Sequence, residues 1–263
     1  MRIATWNVNS VKQRVPRLLP WLDERRPDVV CLQETKLTDD AFADLLGEAL
    51  TERGYAFASN GQGQWNGVAL LSKVGLDDVQ RGFADMPGFP DAEARAISAT
   101  CAGLRVHSLY VPNGRTLEDP HLPYKLKWLS ALRDTATGWL ADDPSLPLAL
   151  MGDWNIAPTD EDVWDMAVFA NSTHVSEPER AAFRAINDAG FADVVRPFTP
   201  GPGVYTYWDY TQLRFPKKQG MRIDFVLGSP EFAARVTHGE IVREERKGKQ
   251  PSDHAPVLVE LAP

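Results

Sequence analysis

Several apolar runs in this chain end in polar residues of types that do chemistry. Asn7 and Asn9 close the run Arg2–Val8, Glu34 follows Asp28–Gln33, and Tyr110 and Asn113 close Leu104–Val111. Asp153 and Asn155 follow Leu146–Met151, Asp224 lies inside Met221–Leu227, and Asp253-His254 precede Ala255–Leu261. Carboxylates and amide oxygens without a thiolate cluster suit a hard divalent cation, Mg²⁺ or Mn²⁺. Asn, Asp and His beside such an ion suit phosphodiester hydrolysis. A carboxylate takes a proton from water, the ion and the donors hold the developing charge, and an acid or the ion assists the leaving oxygen. Asp224 is the hardest to read as ordinary core. A carboxylate between Ile223 and Phe225-Val226-Leu227 is costly to bury unless paired, and His254 is the partner by chemistry. Each of the others, taken alone, also suits a plain role: Asn7 a cap, Glu34 a surface carboxylate, Gly152–Asn155 a turn. No Gly-x-Ser-x-Gly, P-loop or His-Glu-x-x-His motif offers another nucleophile or metal site.

These residues need strands to hold them. Besides the runs above, Gly67–Ser72 and Ala94–Cys101 read as strands, the latter turning through Ala102-Gly103 into the next. Helices are expected over Arg14–Arg25, Asp39–Glu52, Pro123–Ala141 and Glu177–Ala189, with Pro16 and Pro20 making the first irregular at its start. Strands and helices mixed along the whole length, without a linker, predict one α/β domain over residues 1–263 with packed sheets. The echo of Trp6-Asn7 in Trp154-Asn155 places two similar strand ends at one cleft, where ligands of α/β folds gather; a chance match of two dipeptides is the alternative.

Composition bounds the rest. The 263 residues are 43% hydrophobic, enough for a large core, and no run reaches the roughly 20 apolar residues of a membrane span. The start, Met1–Asn7, lacks an apolar leader segment, so a cytoplasmic location is expected. Cys31 and Cys101 sit in apolar runs and read as buried reduced thiols. Lys and Arg number 28 against 36 Asp and Glu, a net charge of −8. That excludes a general basic coat for wrapping nucleic acid and leaves room for a local basic groove. The eight tryptophans suit a core or a groove for a sugar or base.

Seven ordered motifs then carry a resemblance: Trp6-Asn7-Val8-Asn9, Leu32-Gln33-Glu34-Thr35-Lys36, Tyr110-Val111-Pro112-Asn113-Gly114, Gly152-Asp153-Trp154-Asn155, Tyr205–Tyr210, Arg222-Ile223-Asp224 and Ser252–Val257. Together they resemble the exonuclease III family of apurinic/apyrimidinic endonucleases, within the endonuclease/exonuclease/phosphatase superfamily, from residue 1 to about 261. The resemblance implies a four-layer α/β sandwich of two packed mixed sheets flanked by helices. It implies cleavage of double-stranded DNA 5′ to abasic sites and trimming or cleaning of 3′ ends, with one or two Mg²⁺ ions, by a monomer. It makes Glu34 the principal metal ligand, helped by Asn7 and Asp253, with Asp153, Asn155 and His254 in the candidate ligand set. Asp153 becomes the proton-transferring carboxylate; Tyr110, Asn155 and His254 contact the scissile phosphate; Asp224 orients His254. Tyr207, Trp208, Met221 and Ile223 line an abasic pocket, and Asn113, Arg115, Lys217 and Lys218 meet the DNA.

The chain departs from the family pattern at two places. Trp154 stands where Phe or Met is common, adding bulk beside the catalytic pair. Thr211-Gln212 follow Trp208-Asp209-Tyr210 where many members carry Arg, removing a phosphate contact, although Arg214, Lys217, Lys218 and Arg222 supply positive charge nearby. Arg243–Lys249 is mixed in sign and reads as plain surface. Two other readings use the same residues: a superfamily phosphatase or phosphodiesterase acting on a small phosphorylated molecule, and a DNA-binding descendant without activity. The Tyr-Trp-Asp-Tyr segment speaks against the first and the intact polar set against the second.

Overall fold

The computed structural model describes residues 1–262. Its strands and α-helices follow in the order β1 (Arg2–Asn7), α1 (Val11–Arg25), β2 (Val29–Gln33), α2 (Asp39–Glu52), β3 (Ala56–Gln62), β4 (Trp65–Ser72), β5 (Asp77–Arg81), β6 (Ala96–Cys101), β7 (Leu104–Tyr110), α3 (His121–Asp142), β8 (Leu148–Asp153), α4 (Met166–Phe169), α5 (Glu177–Asp188), β9 (Ala192–Asp193), β10 (Asp224–Gly228), α6 (Pro230–Ala233), β11 (Val236–Ile241) and β12 (Val257–Leu261). They build two six-stranded mixed sheets, ordered β11-β12-β1-β2-β4-β3 and β5-β6-β7-β8-β10-β9. The expected α/β sandwich is the observed fold.

Period-two alternation sorts every central strand into two faces. Ile3, Val29, Cys31, Val68 and Leu70 of the first sheet meet Ile97, Val106, Ala149, Met151 and Val226 of the second in one buried cluster. The opposite face of the first sheet, Ala4, Trp6, Val30, Leu32 and Leu71, packs under Leu18, Trp21 and Leu22 of α1 and Phe42 and Leu46 of α2. Leu148, Leu150, Phe225 and Leu227 of the second sheet pack under Trp128 and Leu132 of α3 and Phe183 and Ile186 of α5. Burial on both faces makes these strands read as continuous apolar runs. Cys31 and Cys101 are both free and buried, as expected.

Three local findings differ from the sequence expectations. Helix α1 begins at Val11 and runs through Pro16 and Pro20. The two prolines lie one turn apart on the exposed face, so the carbonyls they leave without an N–H look toward water. Trp154 adds no bulk at the strand end: it is fully buried and meets Phe183 edge-on at 5.5 Å, in the helix layer. The segment Arg243–Lys249 is more than surface, because buried Arg246 donates to the Trp208 carbonyl at 2.9 Å and Arg243 lies over the Phe215 ring.

Gly152 permits the closest strand approach at the site. It sits at φ +149°, and a Cβ there would stand 1.9 Å from the Leu109 carbonyl oxygen. Only the bare backbone lets β7 and β8 pair in the parallel register that sets Tyr110 opposite Asp153. Among the described residues no helix is long and apolar enough to cross a membrane.

His107 lies on the helix-facing side of this framework, stacked on Trp139 of α3 at 4.4 Å, with no partner for its Nε2. Burial, helped by Arg105, pulls its pKa down to about 3. The unfolded chain takes up this proton near pH 6.5 while the native ring stays neutral. Stability is therefore lost progressively as pH falls below about 6.5, at up to about 1.4 kcal/mol per unit. His107→Phe removes that slope. Urea unfolding at pH 7 and pH 5 should show the wild type losing about 2 kcal/mol more than the variant over this interval; equal losses would clear His107 of the effect.

Candidate active site

The alternation that builds the inter-sheet core also builds the site. Asn7 continues the inward row Ile3-Thr5, Asp153 continues Ala149-Met151, and Asp224 shares the parity of Val226. Across the second sheet Tyr110 pairs with Asp153, and Asp153 with Asp224. At one end of the sandwich the apolar rows thus give way to polar groups facing each other between the sheets. The change begins one step earlier, where buried Gln33 donates to Thr5 in its own sheet and to Ser108 across the gap, at 3.0 Å each.

The Asn7 amide bridges the sheets. Its Nδ2 donates to Glu34 Oε1 at 2.8 Å and to Asp153 Oδ2 at 2.9 Å. His254 completes the group, with Nδ1 2.8 Å from Asp224 Oδ2 and Nε2 3.8 Å from Asp153 Oδ2. The expected Asp–His pair is present. It is held from behind: the Thr206 hydroxyl accepts the N–H groups of Ile223 and Asp224, the Trp6 indole donates to the His254 carbonyl, and Ser252 donates to the Asn7 carbonyl.

Electrostatics follow from this crowding. Burial opposes a charge on His254, but Asp224 and Asp153 outweigh it and lift the imidazole to about pKa 10. Burial, with Asp224 and Glu34 adding to it, raises Asp153 to about 7 against the pull of His254. Burial also opposes the Glu34 charge, yet Lys36 and the Asn7 amide leave its pKa below the ordinary carboxylate value. Lys36 Nζ is 2.8 Å from Glu34 Oε2 and 2.6 Å from Asn9 Oδ1. Tyr110 is pushed up by burial first and then by Glu34, so its hydroxyl keeps its proton as a donor.

Glu34, Asp153 and His254 each bring a ligand atom within 4.8 Å of the others. The two carboxylates fit a hard divalent cation, and the imidazole could join them only by giving up the proton that Asp224 and Asp153 hold on it. Asp253 stands apart from this set, accepting both Asn9 Nδ2 contacts at 3.0 and 3.1 Å. Asn155 also faces elsewhere. Its Nδ2 donates to the Val111 carbonyl, and its Oδ1 accepts from Asn113 Nδ2 at 3.0 Å.

The sequence did not point to a second network behind Asn155. Lys125 of α3 donates to the Asn155 carbonyl at 2.6 Å and to Glu179 Oε1 of α5 at 2.5 Å, both side chains being fully buried. Glu179 accepts from the His174 N–H at 3.0 Å and from Ser176. The His174 ring reaches Asn155 Oδ1 at 3.1 Å and Asn113 Nδ2 at 3.3 Å.

The four residues expected at an abasic pocket divide between a cavity and the core. A cavity of about 120 Å³ is lined by Trp164, Phe169, Tyr207, Arg214 and Met221 among others. Tyr207 joins it to the site, its ring 4.9 Å from that of His254. Trp208 and Ile223 do not line it. Trp208 packs with Tyr205, Ala255 and Phe215, and Ile223 with Ala157 and Val163, because their neighbours Tyr207 and Met221 take the cavity side. Arg222 is likewise no surface cation: it is buried and paired with Asp162 and Asp193. Arg214 covers the Trp164 ring at 5.0 Å, while Lys217, Lys218 and Arg115 stay exposed.

Comparison with known proteins agrees with this geometry. The family model described as the Endonuclease/Exonuclease/phosphatase family matches residues 4–254. Exodeoxyribonuclease III of Haemophilus influenzae is 30% identical, over 99% of this chain and 100% of that protein. DNA repair nuclease APEX1 of Danio rerio is 30% identical, over 100% of this chain and 82% of its own length. Among solved structures, the 3′ phosphatase NExo from Neisseria, bound to a product DNA hairpin, has 37% identity and a TM-score of 0.94, covering 100% of this chain and 99% of that one. An AP endonuclease from Archaeoglobus fulgidus has 32% identity and a TM-score of 0.93, with full coverage of both chains.

The Asp224–His254 contact yields a direct test. Asp224→Asn keeps the shape and removes the charge that fixes the His254 ring. Turnover of a phosphodiester substrate should fall at least ~10²-fold, the usual scale of proton-handling groups, with thermal unfolding showing an intact fold. Turnover within twofold of wild type would remove Asp224 from the role.

Proposed function

We propose, from the premise that this chain belongs to the endonuclease/exonuclease/phosphatase family, that it is a DNA-repair nuclease hydrolysing phosphodiester bonds at 3′ ends and 5′ to abasic sites of double-stranded DNA. One observation carries the reading: the Asn7 amide joins Glu34 and Asp153 across the two sheets, beside the His254–Asp224 pair.

Each group has a part that its position supports. The Asp153 carboxylate, next to His254 Nε2, receives the proton of the attacking water. His254, kept cationic by Asp224, donates toward a phosphate oxygen, and the Tyr110 hydroxyl donates from the neighbouring strand. The Asn113–Asn155 pair holds the phosphate from the opposite side. Glu34 and Asp153 would hold Mg²⁺, which when bound supplies positive charge to the phosphoryl oxygens.

The cavity beside Tyr207 supports the choice of end group. The half-open cavity, about 120 Å³ and walled by Trp164, Phe169 and Tyr207, offers apolar walls to a baseless sugar and is small for a whole nucleoside. A baseless residue also leaves the duplex at lower cost, having no base to unstack. Exposed Lys217 and Lys218, and exposed Arg115 beside Asp119, are placed to meet backbone phosphates.

The deciding assay compares duplexes bearing an abasic analogue, a 3′-phosphate or an intact 3′ end, with an inositol phosphate alongside, in Mg²⁺ and in chelator. DNA turnover abolished by chelator is expected. Turnover of the inositol phosphate alone would overturn the reading in favour of a small-molecule phosphatase. Glu34→Gln should raise the Mg²⁺ concentration for half-maximal activity sharply, roughly tenfold or more, and an unchanged titration would take Glu34 out of the metal site. Met221→Ala should enlarge the cavity and lower the ratio of abasic to intact cleavage; an unaltered ratio would place Met221 outside recognition.

A further inference from the structure

We infer that Lys125, through Glu179, is a positioning residue for Asn155, an inference that rests on the reading of Asn155 as a phosphate contact. Both side chains are fully buried, and neither is a wall of the cavity beside Tyr207. Yet apart from the Ser176 hydroxyl on Glu179, their polar contacts lead to Asn155 and its partners Asn113 and His174. Lys125 Nζ holds the Asn155 carbonyl at 2.6 Å and lies 3.4 Å from that of Asn113. Glu179 holds the backbone N–H of His174, whose ring accompanies Asn113 at the Asn155 side-chain oxygen.

Asn155 needs such a hold. It has left β8 and sits at φ +51°, the left-handed region that side-chain-bearing residues occupy seldom. Its N–H is tied to Asp153 Oδ1 at 2.9 Å, so one peptide links it to the proton-accepting carboxylate and Lys125 grips the next. An ion pair used for stability alone is a weak device, since apolar side chains of similar volume replace buried pairs without loss of stability. A pair that fixes a residue of the site through its backbone carbonyl has a reason to be polar. The geometry therefore separates two roles that look alike in a contact list: tying α3 to α5, or holding Asn155.

The double variant Lys125→Met/Glu179→Leu keeps volume and removes the pair without stranding a charge. Release of 3′-phosphate from a duplex oligonucleotide in saturating Mg²⁺ should show kcat lower by about 10- to 100-fold, the range for displacing a reacting group by about 1 Å. KM should stay within about threefold, and the melting transition should remain cooperative. In an Asn155→Ala background the same double change should cost nothing further, because the pair then has no residue to position. A folded double variant with kcat within twofold of wild type would overturn the proposal, as would an equal fractional loss in both backgrounds. If the double variant does not fold, Glu179→Gln, which keeps the shape and drops the charge, is judged by the same two criteria. Wild-type kcat in Asn155→Ala alone would overturn the reading of Asn155 and this proposal with it, a result distinct from additive loss.

Discussion

Three carboxylates, Glu34, Asp153 and Asp224, converge on one imidazole between two apolar sheets. Like charges so close in a poorly solvated space repel strongly unless a cation lies among them. His254 and Lys36 supply that charge, and the Asn7 amide adds two donors where no charge is available. Much of the rest of the molecule serves to make this crowding tolerable. Two rigid sheets fix the spacing, and buried hydroxyls of Thr206 and Ser252 lock the loops that bring Asp224 and His254 together.

The arrangement also explains why the site lies where it does. Inward rows of both sheets are apolar through the middle and turn polar at one end, through Thr5, Gln33 and Ser108 to Asn7, Tyr110 and Asp153. Parity does the aiming. Any residue two positions past a core-facing one in the same strand faces the same gap, so a polar strand end must point into the cleft. The Trp-Asn echo follows the same rule at β1, where Trp6 faces the helices and Asn7 the cleft.

Much of this was legible in the sequence, and what was not has physical causes. The central strands stood out because burial on both faces demands unbroken apolar runs. The four strands that did not, β3, β5, β9 and β11, are the four edge strands of the two sheets. An edge strand is half solvated and carries polar residues that blunt pairing, as in Asp77–Arg81. Trp208 and Ile223 were grouped with Tyr207 and Met221, yet only the latter two line the cavity, since motif position does not reveal which way a short bridge faces. The network behind Asn155 left a signal that spacing could have caught. Leu122, Lys125, Leu129, Leu132 and Ala136 form one buried helical stripe interrupted by a cation, and Glu179, Phe183 and Ile186 form a shorter stripe interrupted by an anion. Two misplaced opposite charges on two apolar faces are an invitation to pair them.

The first sheet is closed by chain segments far apart in synthesis. Strand β12 lies between β11 and β1, and the Met1 amine reaches the Leu261 carbonyl at 2.9 Å. Until residues near 261 leave the ribosome, β1 is paired with β2 alone, and no His254 stands opposite Asp224. A growing chain that already carries Glu34 and Asp153 therefore still lacks the Asp224–His254 pair. Premature termination anywhere before His254 gives a polypeptide in which the polar cleft between the sheets is never completed, so the site and the last strand of the fold arrive together.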